Sequence, residues 1–237
     1  MNRSHFSPTE RSGAAGVVEQ REVVIPPLGL GGTLSIPAGV YALVVFVHGS
    51  GSSRFSPRNR AVAQALNQQA IATLLFDLLT EEEEANRANV FDIELLAKRL
   101  VQAVDWIDED PQLRRLPLGL FGASTGAAAA LVGAARLGDR VGAVVSRGGR
   151  PDLAGPALDE IKTPTLLIVG GRDFGVIELN EEALARLQGP KAIEIVPGAT
   201  HLFPEPGALE VVMAEAAQWF QSHLATGTAP SSESTPH

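Results

Sequence analysis

A serine flanked by glycines lies where two kinds of sequence meet. The stretch 117–138, PLGLFGASTGAAAALVGAARLG, sets an apolar run against an alanine-rich run, with Ser124 between Gly122 and Gly126. A sharp strand-to-helix turn needs small residues, because the serine backbone is strained and neighbouring Cα atoms pack closely. Such a turn exposes Oγ over a helix N-terminus, which favours negative charge. The pattern predicts that Ser124 is a nucleophile; a serine that only caps the helix is the alternative.

A serine hydroxyl needs a general base, usually a histidine that a carboxylate holds in place. His5 and His237 lie in the terminal segments, and His223 lies near the end of the last predicted helix. His201 follows a predicted strand, in a Gly-containing loop before that helix. We therefore expect His201 to be the base. A histidine that caps the last helix is the alternative.

Asp173 is the expected orienting acid. It is the one acidic residue between Ser124 and His201 that directly follows a predicted buried strand. The resulting order Ser, Asp, His is typical of a nucleophile on a strand–turn–helix elbow. An aspartate that hydrogen-bonds its own turn is the alternative.

A run of small residues, GSGSS at 49–53, follows another predicted strand. An oxyanion hole is built from backbone N–H groups, so small residues are expected where the chain approaches a reacting carbonyl. We assign the hole to the N–H groups of Ser50, or Gly51, and of Thr125, the residue after the nucleophile. His48 is expected to order this loop rather than to act as a base.

Several arginines lie near the ends of the predicted strands that these candidate residues follow. They are Arg54, Arg58, Arg60, Arg147, Arg150 and Arg172. In an acidic chain this suggests a substrate that carries a carboxylate or phosphate, with Arg54 and Arg147 as substrate-binding residues. The alternative is that the arginines pair with residues 81–84 and other surface acids and contribute little.

The elements that must position these residues are short apolar runs that alternate with segments of helical period. The runs are VYALVVFVHG, IATLLFDLL, LGLFGAS, VGAVVS, TPTLLIVGG and AIEIVPG. Continuous Val, Ile and Leu indicates strands covered on both faces, hence a mainly parallel sheet. The pattern predicts a doubly wound α/β fold, flanked by helices on both faces, whose ligands bind beyond the carboxyl ends of the strands.

Other segments complete this fold. Apolar residues at three- and four-residue steps over 93–107 predict an amphipathic helix, and 206–224 closes the chain in the same way. Residues 21–39 predict an antiparallel edge hairpin. Only about twenty residues separate VVSRGG from the strand before Asp173, so we expect a minimal cap or none. The acidic loop 80–91 is then the candidate lid.

Composition limits the function classes. The chain has 237 residues, 45% hydrophobic and 19% charged, which predicts one domain over 20–224 between disordered tails at 1–19 and 225–237. The absence of cysteine excludes a disulfide framework and a thiolate site. A net charge of −8 argues against nucleic-acid or membrane partners. We expect a cytoplasmic monomer or homodimer without metal or cofactor, acting on a small acyl compound.

These motifs resemble those of the α/β-hydrolase fold, and the cap-poor arrangement is similar to the dienelactone hydrolase family over about residues 20–224. The resemblance implies a Ser (or Cys), Asp, His triad at Ser124, Asp173 and His201, with hydrolysis of esters, lactones or related acyl compounds through an acyl-enzyme. Dienelactone hydrolases proper carry cysteine in the elbow and this chain has none, so the named substrate is not transferred.

Two further stretches, HGSGSSRFSPRNR and SRGGRPDL, are similar to those of a subgroup of this family that is found attached to phosphoribosyltransferase domains. We expect that this chain has no room for such a domain. Two other functions stay open. One is a catalytically silent α/β-hydrolase fold that serves as a small-molecule receptor or interaction module. The other is a peptidase or acyltransferase that uses the same triad.

Overall fold

Eight strands form one sheet in the computed structural model, which describes residues 18–225. They are β1 (Val18–Ile25), β2 (Leu30–Pro37), β3 (Ala42–Val47), β4 (Ile71–Phe76), β5 (Leu118–Ala123), β6 (Val141–Arg147), β7 (Thr165–Gly170) and β8 (Lys191–Val196). Their order across the sheet is β1, β2, β4, β3, β5, β6, β7, β8. β2 pairs antiparallel with β1 and β4, and all other pairs are parallel. The predicted mainly parallel sheet is confirmed.

Seven α-helices accompany the sheet within residues 18–225. They are α1 (Pro57–Gln68), α2 (Glu81–Glu84), α3 (Arg87–Val90), α4 (Ile93–Glu109), α5 (Thr125–Leu137), α6 (Val176–Arg186) and α7 (Ala208–Leu224). The predicted stripe on α4 is buried except for its first residue, Ile93, which is partly buried. Asp92 caps α4 by accepting a hydrogen bond from the Leu95 N–H, as expected of an acidic residue before a helical run.

The helices cover both faces of the sheet because the strand side chains alternate between the faces. Val45 and Val47 of β3 pack in one core with α4, α5 and α6, and Val44 and Phe46 pack in a second core with α1 and α7. β3, β4, β5 and β7 are buried at every position. The centre of the sheet is therefore a rigid support for the loops at its carboxyl edge.

The predicted tails at 1–19 and 225–237 lie outside the described residues, apart from residues 18, 19 and 225. Val18 and Glu19 begin β1. No helix within residues 18–225 is long and apolar enough to cross a membrane.

The segment expected to be a lid loop, 80–91, contains the short helices α2 and α3. Thr80 and Glu83 cap α2 reciprocally. Glu83 also forms a 2.6 Å ion pair with Arg99 of α4, and its carbonyl accepts a hydrogen bond from Asn89. The Glu83 carboxylate thus joins this segment to α4.

Candidate active site

Ser124 occupies a strained turn between β5 and α5. Its backbone lies at φ 52° and ψ −125°, a region that residues with a side chain rarely adopt. A Cβ on Gly122 would lie 2.5 Å from the Ala127 Cα, and a Cβ on Gly126 would lie 2.2 Å from the Val47 carbonyl oxygen. Both positions therefore require glycine. The Ser124 side chain makes no capping hydrogen bond to α5, so the capping alternative has no support.

The end of β6 holds this turn in place. The Ser124 N–H donates to the Arg147 carbonyl over 3.2 Å, and the Arg150 N–H donates to the Ser124 carbonyl over 3.1 Å. A Cβ on the intervening Gly148, which has φ 50°, would lie 2.9 Å from the carbonyl oxygen of His201. The turn after β6 thus contacts both the serine turn and the loop that carries His201.

His201 and Asp173 are in direct contact. The ring Nδ1 lies 2.7 Å from the Asp173 Oδ2. The aspartate side chain is mostly buried, at 13% exposed, whereas the histidine side chain is 38% exposed. With Nδ1 bound to the carboxylate, Nε2 is the ring nitrogen left to exchange a proton with a substrate or nucleophile.

Backbone contacts join the two loops that carry this pair. The Arg172 N–H donates to the Ala199 carbonyl over 2.9 Å, and a Cβ on Gly170 would lie 2.5 Å from the same oxygen. Within the second loop, the Glu205 carboxylate accepts hydrogen bonds from the Thr200 N–H and hydroxyl. These bonds, the hydroxyl first, lower the pKa of Glu205. The loop before α7 is therefore closed by its own side chains, and His201 does not cap that helix, whose N-cap is Gly207.

The loop after β3 packs directly on the serine turn. A Cβ on Gly49 would lie 2.9 Å from both the Ala123 carbonyl oxygen and the Ser124 Cβ. The Ser50 N–H donates to the Thr125 hydroxyl over 3.0 Å. This N–H therefore points at the first residue of α5, beside the candidate nucleophile. The sequence predicted the two N–H groups of an oxyanion hole, but it did not predict the contact between the Ser50 N–H and the Thr125 hydroxyl. The one sequence signal for that contact was a hydroxyl-bearing residue directly after the serine.

His48 joins the ends of β3 and β4. Its Nδ1 lies 3.0 Å from the Gly49 carbonyl, and its Nε2 accepts the Leu78 N–H over 3.2 Å. The residue is 6% exposed. Burial lowers its pKa, and the hydrogen bond to Gly49 opposes this only in part. His48 is therefore held as a neutral ring by the backbone on both sides, as expected of a residue that orders the loop.

The two arginines that the sequence suggested as substrate ligands have different surroundings in the structure. Arg54 forms an ion pair with Asp77, and its backbone N–H also donates to that carboxylate over 2.8 Å. Arg147 is 6% exposed and has no ion-pair or side-chain hydrogen-bond partner within residues 18–225. Burial, together with the charge of Arg58, lowers the pKa of Arg147 to about 10. Sequence reasoning grouped Arg58 with the edge arginines but did not single it out.

No group of three or more His, Asp or Glu side chains in the described part of the chain is arranged to hold a metal ion.

Comparison with known proteins shows that the chain is similar to a family of hydrolases. The model of the dienelactone hydrolase family matches residues 42–224. The crystal structure of a dienelactone hydrolase from Anabaena variabilis is 53% identical, covers 89% of this chain and 99% of its own, and superposes with a TM-score of 0.84. Est1E from Butyrivibrio proteoclasticus is 16% identical, covers 85% of this chain and 98% of its own, and has a TM-score of 0.72, which shows a shared fold.

Curated relatives in two strains of Mycobacterium tuberculosis carry the name putative phosphoribosyl transferase. Each is 57% identical over 213 residues, which is 90% of this chain and 48% of the relative. The chain therefore spans about half the length of these relatives.

Proposed function

The chain belongs to the dienelactone hydrolase family, and we propose that it is a serine hydrolase that cleaves an ester, lactone or related acyl substrate through an acyl-enzyme. The observation that carries the proposal is the 2.7 Å contact between His201 and Asp173 at the edge where Ser124 occupies a strained turn. The name of the mycobacterial relatives describes proteins about twice as long as the matched region, so the site itself is the basis of the proposal.

In the first half of the proposed reaction, the Ser124 Oγ attacks the acyl carbon while His201 Nε2 takes the hydroxyl proton. The attack forms a C–O bond and moves the carbonyl π electrons onto oxygen. Asp173 fixes the ring with its proton on Nδ1 and stabilises the imidazolium that results. The tetrahedral intermediate then expels the alcohol oxygen, which receives the proton from His201, and Ser124 remains acylated.

In the second half, water attacks the acyl-enzyme. His201 takes a proton from that water and returns it to the Ser124 oxygen as the C–O bond of the acyl-enzyme breaks. The products are a carboxylic acid and the free enzyme, so no cofactor enters the balance. Since the nucleophile is regenerated, one histidine acts as base and acid in both halves.

We infer that the negative oxygen of both intermediates lies against the Ser50 and Thr125 N–H groups. The Ser50 N–H already points at the head of α5, where it donates to the Thr125 hydroxyl. An anionic oxygen is a stronger acceptor than a neutral hydroxyl, so the N–H can exchange one acceptor for the other as charge develops. A hole donor is typically worth about 10²–10³ in kcat. Gly51 remains a second candidate donor in this loop.

Steady-state kinetics test the proposal. We expect wild type to hydrolyse short p-nitrophenyl esters, and Ser124→Ala to lose the activity entirely. Ser222→Ala removes an exposed hydroxyl on α7 that donates to the Gln218 carbonyl of the same helix, so it is a matched control and should behave as wild type. Turnover retained by Ser124→Ala, or none by wild type on any ester or lactone, would contradict the assignment. Parallel assays with aminoacyl amides and with added alcohol separate a hydrolase from a peptidase or acyltransferase.

A further inference from the structure

Asn180 is a fully buried amide on α6 that bonds both its own helix and a distant turn. Its Nδ2 donates to the Gly149 carbonyl over 3.0 Å and to the Val176 carbonyl over 2.7 Å. Its Oδ1 is enclosed and meets no donor within residues 18–225. A buried polar atom without a partner is costly. The role of Asn180 must therefore lie in its two donated bonds.

The first acceptor, Gly149, lies in the turn that follows β6, residues 148–150. Two successive glycines carry no side chain that could anchor this turn, and Gly148 has φ 50°. The Gly148 N–H donates to the Ile168 carbonyl of β7 over 2.8 Å. The next carbonyl, that of Gly149, is held by the Asn180 side chain. Bonds to β7 and to α6 thus fix the turn from two neighbouring elements.

This turn holds the candidate nucleophile and contacts the loop of the candidate base. The Ser124 N–H donates to the Arg147 carbonyl over 3.2 Å, and the Arg150 N–H donates to the Ser124 carbonyl over 3.1 Å. A Cβ on Gly148 would lie 2.9 Å from the His201 carbonyl oxygen. A strained backbone such as that of Ser124 persists only where its surroundings fix it. A displacement of the turn would therefore move Ser124 relative to His201.

The second acceptor, Val176, is the first residue of α6 and follows the candidate acid closely. The N–H groups of Val176 and Ile177 donate to the Asp173 carbonyl over 3.1 Å and 3.2 Å. The start of α6 is thus bonded to the backbone of the residue whose carboxylate contacts His201. One amide nitrogen therefore connects the segment after Asp173 to the turn that holds Ser124.

We propose that Asn180 is a positioning residue that sets the distance between Ser124 and the pair formed by His201 and Asp173. It acts through the Gly149 carbonyl and touches none of the reacting atoms. A nucleophile and its base must lie within hydrogen-bond reach, and a misplacement of about 1 Å can cost about a hundredfold in rate. The inference rests on the proposed hydrolase function, because it concerns the attack by Ser124.

The rate per competent site separates positioning from a loss of folded protein. A fluorophosphonate, which phosphonylates an activated serine and releases fluoride, counts competent sites by intact mass when the reaction is run to completion. Hydrolysis of p-nitrophenyl acetate by the same preparation then gives kcat for each site. Wild type is compared with two variants of Asn180 and with one control on the same helix.

The two variants differ in the bonds that they keep. Asn180→Leu has the same branched outline and removes both donated bonds. Asn180→Ser keeps a hydroxyl that can bond the Val176 carbonyl one turn back, but it is one bond shorter than the amide and loses Gly149. Ala183→Gly is the matched control, because it destabilises α6 at a buried position without removing a polar contact.

We expect kcat per labelled site to fall at least about tenfold in both Asn180 variants, with KM within about twofold of wild type. The rate constant of labelling should fall in parallel, because it reports the same attack by Ser124. Ala183→Gly should keep kcat per site, even if fewer sites are labelled. If Asn180→Leu yields no folded protein, Asn180→Ser decides alone.

Three results would overturn the positioning role. One is a kcat per site that equals wild type in Asn180→Ser, since the bond to Gly149 would then not matter. Another is an equal fall in Ala183→Gly, which would assign the effect to α6 as a whole. The third is a wild type that neither hydrolyses the ester nor reacts with the label, which would contradict the hydrolase assignment as well.

Discussion

His48 and His201 both follow strands at the carboxyl edge of the sheet, yet their rings meet opposite surroundings. His48 is 6% exposed and uses both nitrogens on backbone groups, those of Gly49 and Leu78. His201 is 38% exposed in its side chain and, among the described residues, bonds a carboxylate through Nδ1 alone. One ring is occupied and held neutral, while the other keeps a nitrogen available for proton transfer.

The difference shows that a histidine's role is not decided by its position after a strand. A general base needs one free nitrogen and a partner that stabilises its charged form, and Asp173 supplies that partner for His201. Burial acts in the opposite direction at His48, because desolvation favours the neutral ring. The comparison therefore predicts that replacing His201 affects catalysis, whereas replacing His48 affects stability first.

The largest expected effect is on activity at His201. His201→Gln removes the proposed base, and kcat for a p-nitrophenyl ester should fall by about 10⁵–10⁶-fold. The free energy of unfolding should change by about 1 kcal/mol or less, because the ring is partly exposed. Ester kinetics and urea denaturation of the same preparation check both. A fall of less than tenfold in kcat would remove His201 from the mechanism.

Asp173→Asn should reduce kcat by about 10⁴-fold, the next largest effect. The amide preserves shape, but it cannot stabilise an imidazolium and can turn the ring to the wrong tautomer. Asp152→Asn, which breaks a partly exposed pair with Arg150, is the control and should leave kcat near wild type. Equal effects of the two substitutions on kcat would mean that the Asp173 carboxylate has no special role.

At His48 the main effect is expected on stability. His48→Ala leaves the Leu78 N–H and the Gly49 carbonyl without their partner in a buried site, so the free energy of unfolding should fall by about 2–4 kcal/mol. His48→Gln can still accept the Leu78 N–H and should recover part of this loss. Urea denaturation measures both variants. No loss of stability in either would show that the loop is ordered by something other than His48.

The smallest effect is a pH dependence of stability. The pKa of His48 is lowered in the folded protein from an ordinary value near 6.5, so between these values the unfolded chain binds a proton that the folded chain does not. Stability is therefore highest above about pH 6.5 and falls as pH falls toward the folded pKa, by at most about 1.4 kcal/mol per pH unit. Burial lowers the pKa of His223 in the same direction.

The difference between wild type and His48→Gln isolates the contribution of His48, since both proteins retain His223. Denaturation between pH 5 and 7.5 should show a shallower loss of stability in the variant. Parallel stability curves for the two proteins would contradict this account of the buried ring.

The sequence predicted much of the fold and the order of the candidate site residues along the chain. Apolar runs predicted β3 to β8, although β8 is only partly buried rather than covered on both faces. Glycines at 122 and 126 predicted a close turn. The sequence also predicted the order Ser124, Asp173, His201, because each of these residues lies in the segment that follows a strand. These features are local, and local sequence determines them.

What the sequence could not reveal depends on contacts between distant segments. Arg54 and Asp77 pair because β3 and β4 are neighbours in the sheet, and nothing local to either residue indicates this. Segment 80–91 was expected to be a loop, but Arg99 of α4 holds Glu83 and so helps to fix short helices there. Likewise, the isolation of Arg147 becomes visible only when the neighbours of β6 and α1 are known.

Covalent labelling tests the central claim most directly. Wild type, Ser124→Ala and Ser222→Ala are each incubated with a fluorophosphonate, which phosphonylates an activated serine with loss of fluoride, and read by intact mass. We predict a single adduct on wild type and on Ser222→Ala, mapped by peptide digestion to Ser124, and none on Ser124→Ala. The absence of an adduct on wild type, or an adduct that persists in Ser124→Ala, would contradict the assignment of Ser124 as the nucleophile.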